Sequence, residues 1–161
     1  KPSFLSLIEP EDNFLTFNYT ETLEEVYGVN KDRICHIHGK QGENILFGHG
    51  HTRDYTDEYM KKNIGSESSL TELDNFLRKD TEQAFIEHKH FFDGIDDTIR
   101  EVYSIGFSYA DVDLIYIKEI CKKLDVDAVW YLNDFSLTDI QIFQKKLKEC
   151  GFRGNFATFS V

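Results

Sequence analysis

The segment VYSIGFSYADVDLIYI, residues 102–117, decides the fold class. Near-continuous apolar character in residues 102–107 is typical of a strand that is buried on both faces. Apolar residues then recur with helical spacing on more than one face of residues 111–124, which predicts a deeply buried helix. A buried strand that passes directly into a helix is the repeating unit of parallel α/β sheets.

Five further short runs rich in Phe, Ile, Val and Tyr are predicted strands, and helical patterns separate most of them. These runs cover residues 14–18, 34–38, 45–48, 128–133 and 156–161. The alternation predicts a single three-layer α/β domain over residues 1–161, with a mainly parallel, Rossmann-like sheet covered by helices on both sides. Residues 52–100 contain no convincing strand and are predicted to form a helical insertion, with a break near Asp80 and Thr81.

Several residues mark the expected ends of the helices. Thr20 is predicted to cap the helix that follows it, and Gly28 is predicted to end that helix in a left-handed turn. Ser69 with Glu72 has the pattern of a capping box at the start of another helix. Gly151 is predicted to close the helix that precedes the last strand.

The composition excludes several classes of protein. The net charge of −11 opposes binding to nucleic-acid backbones, and no apolar run approaches the ~20 residues of a membrane helix. Three widely spaced cysteines without a C-x-x-C motif argue against a disulfide framework and favour a reducing cytoplasm. The chain starts at Lys1 and has its only methionine at Met60, so we expect a fragment of a longer protein.

Polar residues and glycines follow three of the predicted strands at their carboxyl ends, where open α/β sheets bind ligands. Asp111 then begins a helix, and the backbone N–H groups at such a helix start suit an anion. Each residue also has a structural explanation, such as a turn, a satisfied histidine or the helix dipole. The strand-end residues are Asn18 and Thr20, His38 and Gly39, and Gly106 and Ser108.

Two His-x-His pairs, His36 with His38 and His49 with His51, raise the question of a metal site. Residues i and i+2 on a strand share a face, so each pair could chelate zinc and support a phosphodiesterase or nuclease. The spacing matches no established zinc pattern, so we expect no metal. Two alternatives stay open, in which His38 is catalytic while His36 packs inside, or all four are structural. A third pair, His88 and His90, is expected on the surface of a helix.

Four stretches together resemble a known family. FNYTETLEEVYG at 17–28, ICHIHG at 34–39, ILFGHG at 45–50 and YSIGFSYADVDLIYI at 103–117 resemble the consecutive motifs of the AbiH family of bacterial phage abortive-infection proteins. The resemblance implies anti-phage defence in the bacterial cytoplasm and leaves residues 52–100 as the variable part. The family also has an N-terminal strand with a glycine-rich turn, which this chain lacks. The resemblance therefore leaves open whether the fragment alone is active.

The AbiH motifs are in turn similar to sirtuin-like NAD-binding domains. This similarity implies that Asn18 holds the nicotinamide ribose or an attacking water, and that His38 acts as general base on a ribose hydroxyl. Gly106 and Ser108 would receive the adenosine or its phosphates, and the implied reaction is NAD hydrolysis. Thr20, Gly39 and Asp111 would complete the NAD site, although Thr20 stands where sirtuin-like proteins usually have Asp.

Two other functions remain open at this point. The first is the metal-dependent phosphodiesterase or nuclease that uses the His-x-His pairs. The second is a non-catalytic sensor or interaction module, in which the pocket binds a nucleotide or a phage protein and signals through the helical insertion. A homo-oligomer is a further expectation, because a sheet without its first strand exposes an unpaired edge.

Overall fold

The computed structural model describes residues 2–48, 61, 65–136 and 138–161, and within these ranges five strands form two parallel sheets. The first sheet pairs β1 (Phe14–Thr16) with β2 (Ile34–His36), in the register Leu15 to Cys35. The second sheet contains three strands, with β4 in the centre. They are β3 (Glu101–Ser104), β4 (Val129–Asn133) and β5 (Asn155–Phe159). The α/β class with parallel strands is confirmed, whereas one continuous three-layer Rossmann-like sheet stays a prediction.

Helices connect the strands and fill most of the described chain between them. None of the described helices has the length and apolar character needed to cross a bilayer. Three of them, α3 to α5, fall within the predicted insertion. The helices are α1 (Pro2–Leu5), α2 (Thr22–Tyr27), α3 (Glu67–Phe76), α4 (Thr81–Glu87), α5 (Lys89–Asp93), α6 (Leu114–Lys123) and α7 (Ile140–Glu149).

The main core lies between the three-stranded sheet and α6. The predicted burial of this helix is confirmed, because Tyr116, Ile117 and Ile120 form a buried stripe with helical spacing. Trp130 and Leu132 of β4 are also buried, on one face of the sheet. The side chains of neighbouring positions in β4 are half-buried, so the two faces of this sheet differ in burial.

The structure corrects three of the predicted elements. Residues 45–48 form a loop rather than a strand, because Leu46 N–H donates a single bond to the His38 carbonyl at 2.8 Å and no ladder follows. Thr20 does not cap α2, since its hydroxyl lies 3.0 Å from the Thr22 hydroxyl and Glu21 occupies the cap position. The capping box at Ser69 is also wrong, because α3 begins two residues earlier at Glu67.

Other predicted helix ends are confirmed. Gly28 follows α2 with a φ of +70°, and Gly151 follows α7 with a φ of +100°, a region that favours glycine. Asp80 caps α4, because its carboxylate accepts a hydrogen bond from Gln83 N–H at 2.9 Å. The predicted break near Asp80 and Thr81 therefore separates α3 from α4.

Candidate functional site

The carboxyl ends of β1, β3 and β4 meet at a cavity of about 830 Å³, which we call the strand-end cavity. The first and third of the predicted strand ends therefore converge on one space. Residues from α1 and α2 close another side of the same cavity. The polar residues and the glycine that line it include Thr16, Asn18, Ser104, Gly106, Ser108 and Asn133.

The chain turns sharply where β3 ends at this cavity. Gly106 has a φ of +63°, and a Cβ added there would meet no atom within 4 Å. The backbone conformation, rather than lack of space, therefore favours glycine at this position. Tyr109 also has a positive φ of 54°. Its buried hydroxyl donates to Ser104 Oγ at 2.6 Å, and burial raises the pKa of Tyr109 to about 12.

His38 lies in a different space, which we call the histidine cavity. This cavity has a volume of about 850 Å³ between β2, the following loop and helices α4 and α5. Gly39 lines it together with His38. Of the predicted site residues, Asn18, Gly106 and Ser108 thus line one cavity, and His38 and Gly39 line the other. Thr20 and Asp111 line neither of the two cavities.

The side chain of Asp111 points to solvent and is 88% exposed. Lys146 donates a hydrogen bond to its carboxylate at 2.9 Å and another to the Tyr109 carbonyl at 2.7 Å. Asp111 therefore helps to join the start of α6 to α7 in this arrangement.

The ring of Phe17 lies between His38 and the strand-end cavity. Its centroid is 5.4 Å from the His38 ring centroid and 4.4 Å from the Phe107 ring, with which it stacks. Phe107 in turn lines the strand-end cavity. The aromatic ring of Phe17 thus forms a partition between the two groups of predicted site residues.

His36 has partners on both ring nitrogens. Nε2 lies 2.7 Å from Glu24 Oε1, and Nδ1 lies 3.2 Å from the Asn18 carbonyl oxygen. Both ring nitrogens therefore lie within hydrogen-bonding distance of an oxygen atom. The Glu24 side chain is only 4% exposed, which places this pair in the wall of the histidine cavity.

His38 is also buried beside a carboxylate, but it makes no hydrogen bond to that carboxylate. The residue is 2% exposed, and its Nε2 lies 3.2 Å from Asp113 Oδ1. The two atoms are within ion-pairing distance, yet neither has a hydrogen bond within the described chain. The rings of Phe17 and Tyr116 enclose the imidazole at 5.4 and 5.8 Å. A buried imidazole beside a carboxylate can accept a proton during a reaction.

Asp113 was not among the predicted site residues, because its position at a helix start is explained by the dipole alone. A signal for it does exist in the sequence. Asp113 precedes the buried residues Tyr116, Ile117 and Ile120 by three, four and seven positions, so it falls on the buried stripe of α6. A carboxylate on a buried stripe needs a partner, and the fold brings His38 and Lys79 to it.

The described residues include one of the two His-x-His pairs that were considered as metal ligands. Within the described ranges, no group of three or more His, Cys, Asp or Glu side chains is arranged to hold a metal ion. His49 and His51 lie outside the described residues, so the metal-dependent alternative stays a prediction. The prediction of a surface pair is wrong for His88, which is half-buried in the histidine cavity. Burial, followed by the nearby His90, lowers the pKa of His88.

Comparison with known proteins identifies the family. The model of the family described as "Bacteriophage abortive infection AbiH" matches residues 2–134. No curated protein and no solved structure gives a significant match. The match covers both strands of the first sheet, β3, β4 and the lining of the histidine cavity. Part of the strand-end cavity lies beyond it, at Phe135, Asp139, Phe143 and Val161. The chain therefore belongs to the AbiH family of bacteriophage abortive-infection proteins.

Proposed function

We propose that this AbiH protein acts in phage defence by binding NAD in a sirtuin-like pocket at the strand ends and hydrolysing it. The observation that carries the proposal is the buried imidazole of His38 beside the Asp113 carboxylate, next to the cavity where the strand ends meet. Loss of NAD would stop metabolism in an infected cell, which suits abortive infection.

The reaction breaks the glycosidic bond between the ribose and the nicotinamide ring. Water adds to the ribose carbon, nicotinamide leaves as a neutral molecule, and the proton released from the water passes to a base. His38 is proposed as the general base on a ribose hydroxyl, through which it accepts this proton, and Asn18 is proposed to hold the ribose or the water. Gly106 and Ser108, at the turn after β3, are proposed to receive the adenosine or its phosphates, while Thr20, Gly39 and Asp111 remain proposed NAD contacts.

Phe17 gives this proposal a structural requirement. Asn18 and His38 line different cavities, and the Phe17 ring contacts both His38 and Phe107, which lines the strand-end cavity. For both residues to act on one ribose, the two cavities must connect when the substrate binds, and a change of the Phe17 rotamer is the proposed way. Such a requirement would keep the protein inactive until a ligand or a phage trigger moves the ring.

The experiment that tests the proposal measures nicotinamide release from NAD by the full-length protein, with and without a chelator. We expect release that survives the chelator and falls by about 100-fold or more in His38→Ala, which is within the usual contribution of a general base. Asn75→Ala, an exposed change on α3, is the control for amide removal. Absence of release under every condition, including added phage extract, would refute NAD hydrolysis.

A second candidate function is a non-catalytic sensor, and the separation of Asn18 from His38 favours it. A sensor needs a ligand cavity and a movable wall, but it does not need both residues at one reacting atom. Full phage protection in cells that carry the double variant Asn18→Ala with His38→Ala would support the sensor. Loss of protection with retained NAD binding would support hydrolysis.

A further inference from the structure

The side chain of Asp113 does not have the role that its position in sequence predicts. It directly precedes α6, where a carboxylate commonly caps the helix, yet it makes no capping hydrogen bond. Its Oδ1 instead lies 3.2 Å from His38 Nε2 and 3.9 Å from Lys79 Nζ. The carboxylate is therefore turned away from the helix start and toward two basic groups.

Lys79 reaches this carboxylate from the non-helical connection between α3 and α4. Its side chain is only 13% exposed, and the Asp113 side chain is 12% exposed. Burying a charged lysine costs free energy unless a negative charge accompanies it. The position of Lys79 next to Asp113 therefore offsets this cost. The predicted helical insertion thus places a charge beside the His38 pair.

We infer that Asp113 is the positioning residue of His38, and that Lys79 ties the state of this pair to the non-helical connection between α3 and α4. The inference rests on the proposed function only in that it takes His38 as the base. Asp113 does not touch the substrate in this arrangement. It selects the ring orientation of His38 and would stabilise the imidazolium that forms when His38 accepts a proton.

The physical role of each group follows from the charges. With Nε2 facing Asp113, the nitrogen that remains to accept a proton is Nδ1 of His38. Lys79 offsets the free-energy cost of keeping the Asp113 carboxylate charged away from water. If the segment that carries Lys79 moved, Asp113 would lose this counter-charge and His38 would become its main partner. The strength of the His38 contact should therefore change with the position of the segment.

The surroundings of the pair support a dry site rather than a solvated ion pair. Tyr116 is fully buried, and its hydroxyl has no hydrogen-bond partner within the described residues. Burial, followed by the charge of Asp113, raises the pKa of Tyr116. The same two causes raise the pKa of Tyr19, whose hydroxyl donates to the Leu46 carbonyl at 3.0 Å. Electrostatic interactions between Asp113, His38 and Lys79 are correspondingly stronger than they would be in water.

The test combines a spectroscopic measurement with a kinetic one. Nitrogen-15 NMR of the imidazole rings reports which ring nitrogen carries hydrogen, and His38 is assigned by its loss in His38→Gln. We expect Nε2 of His38 to carry hydrogen in the unmodified protein, and the His38 signals to shift in both Asp113→Asn and Lys79→Met. Lys89→Met and Asp93→Asn, which break an exposed ion pair on α5, are the matched controls and should leave the His38 signals in place.

The kinetic arm separates positioning from binding. Asp113→Asn should lower kcat for nicotinamide release by about 100-fold while KM changes little, because Asp113 acts through His38. Lys79→Met should lower kcat by a smaller factor. A rise in KM with unchanged kcat in both variants would overturn the inference.

The NMR measurement tests the positioning role of Asp113, and the activity measurement tests the proposed reaction, so either claim can be refuted without the other. Unchanged His38 signals in Asp113→Asn, with the protein folded by its thermal transition, would overturn the positioning role whatever the activity. Shifted signals without any NAD cleavage by the unmodified protein would establish the pairing and refute the proposed reaction. If Asp113→Asn does not fold, Lys79→Met decides the question, and unchanged His38 signals in that variant overturn the link to the connection between α3 and α4.

Discussion

His36 and His38 lie two residues apart at the end of β2, and each has a carboxylate beside it. The two imidazoles differ in how many of their nitrogen atoms have a hydrogen-bond partner. His36 Nε2 lies 2.7 Å from Glu24, and its other nitrogen contacts the Asn18 carbonyl at 3.2 Å. His38 Nε2 approaches Asp113 to 3.2 Å without a hydrogen bond within the described residues. In the first pair both nitrogens of His36 have an oxygen partner, and the unused capacity lies on the carboxylate, because Glu24 Oε2 is buried without a hydrogen bond within the described residues. The first imidazole is therefore suited to hold the wall. In the second pair the imidazole nitrogen Nε2 itself has no hydrogen bond in the described part of the chain, which is what a proton-transfer site needs.

The largest effect expected from this comparison concerns stability. Glu24→Ala should lower the free energy of unfolding by about 3 kcal/mol, because it removes one member of a buried pair and leaves His36 uncompensated. Urea denaturation measures the change. The matched control is Glu25→Ala, the exposed neighbour on α2, which should leave the free energy of unfolding nearly unchanged. Equal losses in the two variants would show that His36 does not depend on Glu24.

A smaller effect on stability is expected at the second pair. Asp113→Asn should lower the free energy of unfolding by about 2 kcal/mol, because Lys79 loses its counter-charge, while the amide keeps the shape of the carboxylate and removes a buried charge whose Oδ1 lacks a hydrogen bond. The same urea denaturation checks this value. A loss as large as that of Glu24→Ala would mean that both pairs are structural, and the contrast between them would disappear.

The pH dependence of stability tests a third histidine, His88, which lines the same cavity as His36 and His38. Burial lowers the pKa of His88 below its ordinary value of 6.5. Below pH 6.5 the unfolded chain therefore takes up a proton before folded His88 does, and this contribution to stability is lost as the pH falls through the folded pKa. His88→Gln should make the decline of stability in this acidic range shallower. An unchanged decline would show that His88 is not the group that titrates there.

The smallest effect is expected at an exposed ion pair. Lys89 contacts the Asp93 carboxylate at 2.6 Å on α5, with both side chains more than half exposed. Exposed pairs are screened by water and contribute little, so Lys89→Met should be indistinguishable from the unmodified protein in urea denaturation. This variant sets the baseline for the buried pairs. A clear loss would indicate that α5 is more sensitive to charge than its exposure implies.

The element that the sequence predicts best is the buried helix α6, whose apolar residues recur with helical spacing. The strand before it, β3, is present as predicted, but its predicted burial on both faces is wrong, because Tyr103 is 40% exposed and no residue of β3 is fully buried. Gly28 and Gly151 are equally clear, since a left-handed backbone restricts the residue type. These signals are local and need no knowledge of distant contacts.

The parts that escaped prediction depend on contacts between distant residues. The apolar run at 45–48 has the composition of a strand, but within the part of the chain that the structure describes no strand pairs with it. Phe17 reads as an ordinary core residue, and only the folded arrangement shows that its ring separates His38 from Phe107. The pairing of Asp113 with His38 spans 75 positions in sequence, so no local pattern fixes it.

Trp130 gives the protein a natural optical label. It is the only tryptophan, it is 1% exposed, and its indole N–H donates to Ser104 Oγ at 2.7 Å. Ser104 also lines the strand-end cavity, so a molecule that enters there is one hydrogen bond away from the indole. Ligand arrival at this cavity should consequently change the wavelength or intensity of the intrinsic fluorescence, and unfolding should shift the same emission to the red. Binding and stability can therefore be followed in one cuvette without an added dye.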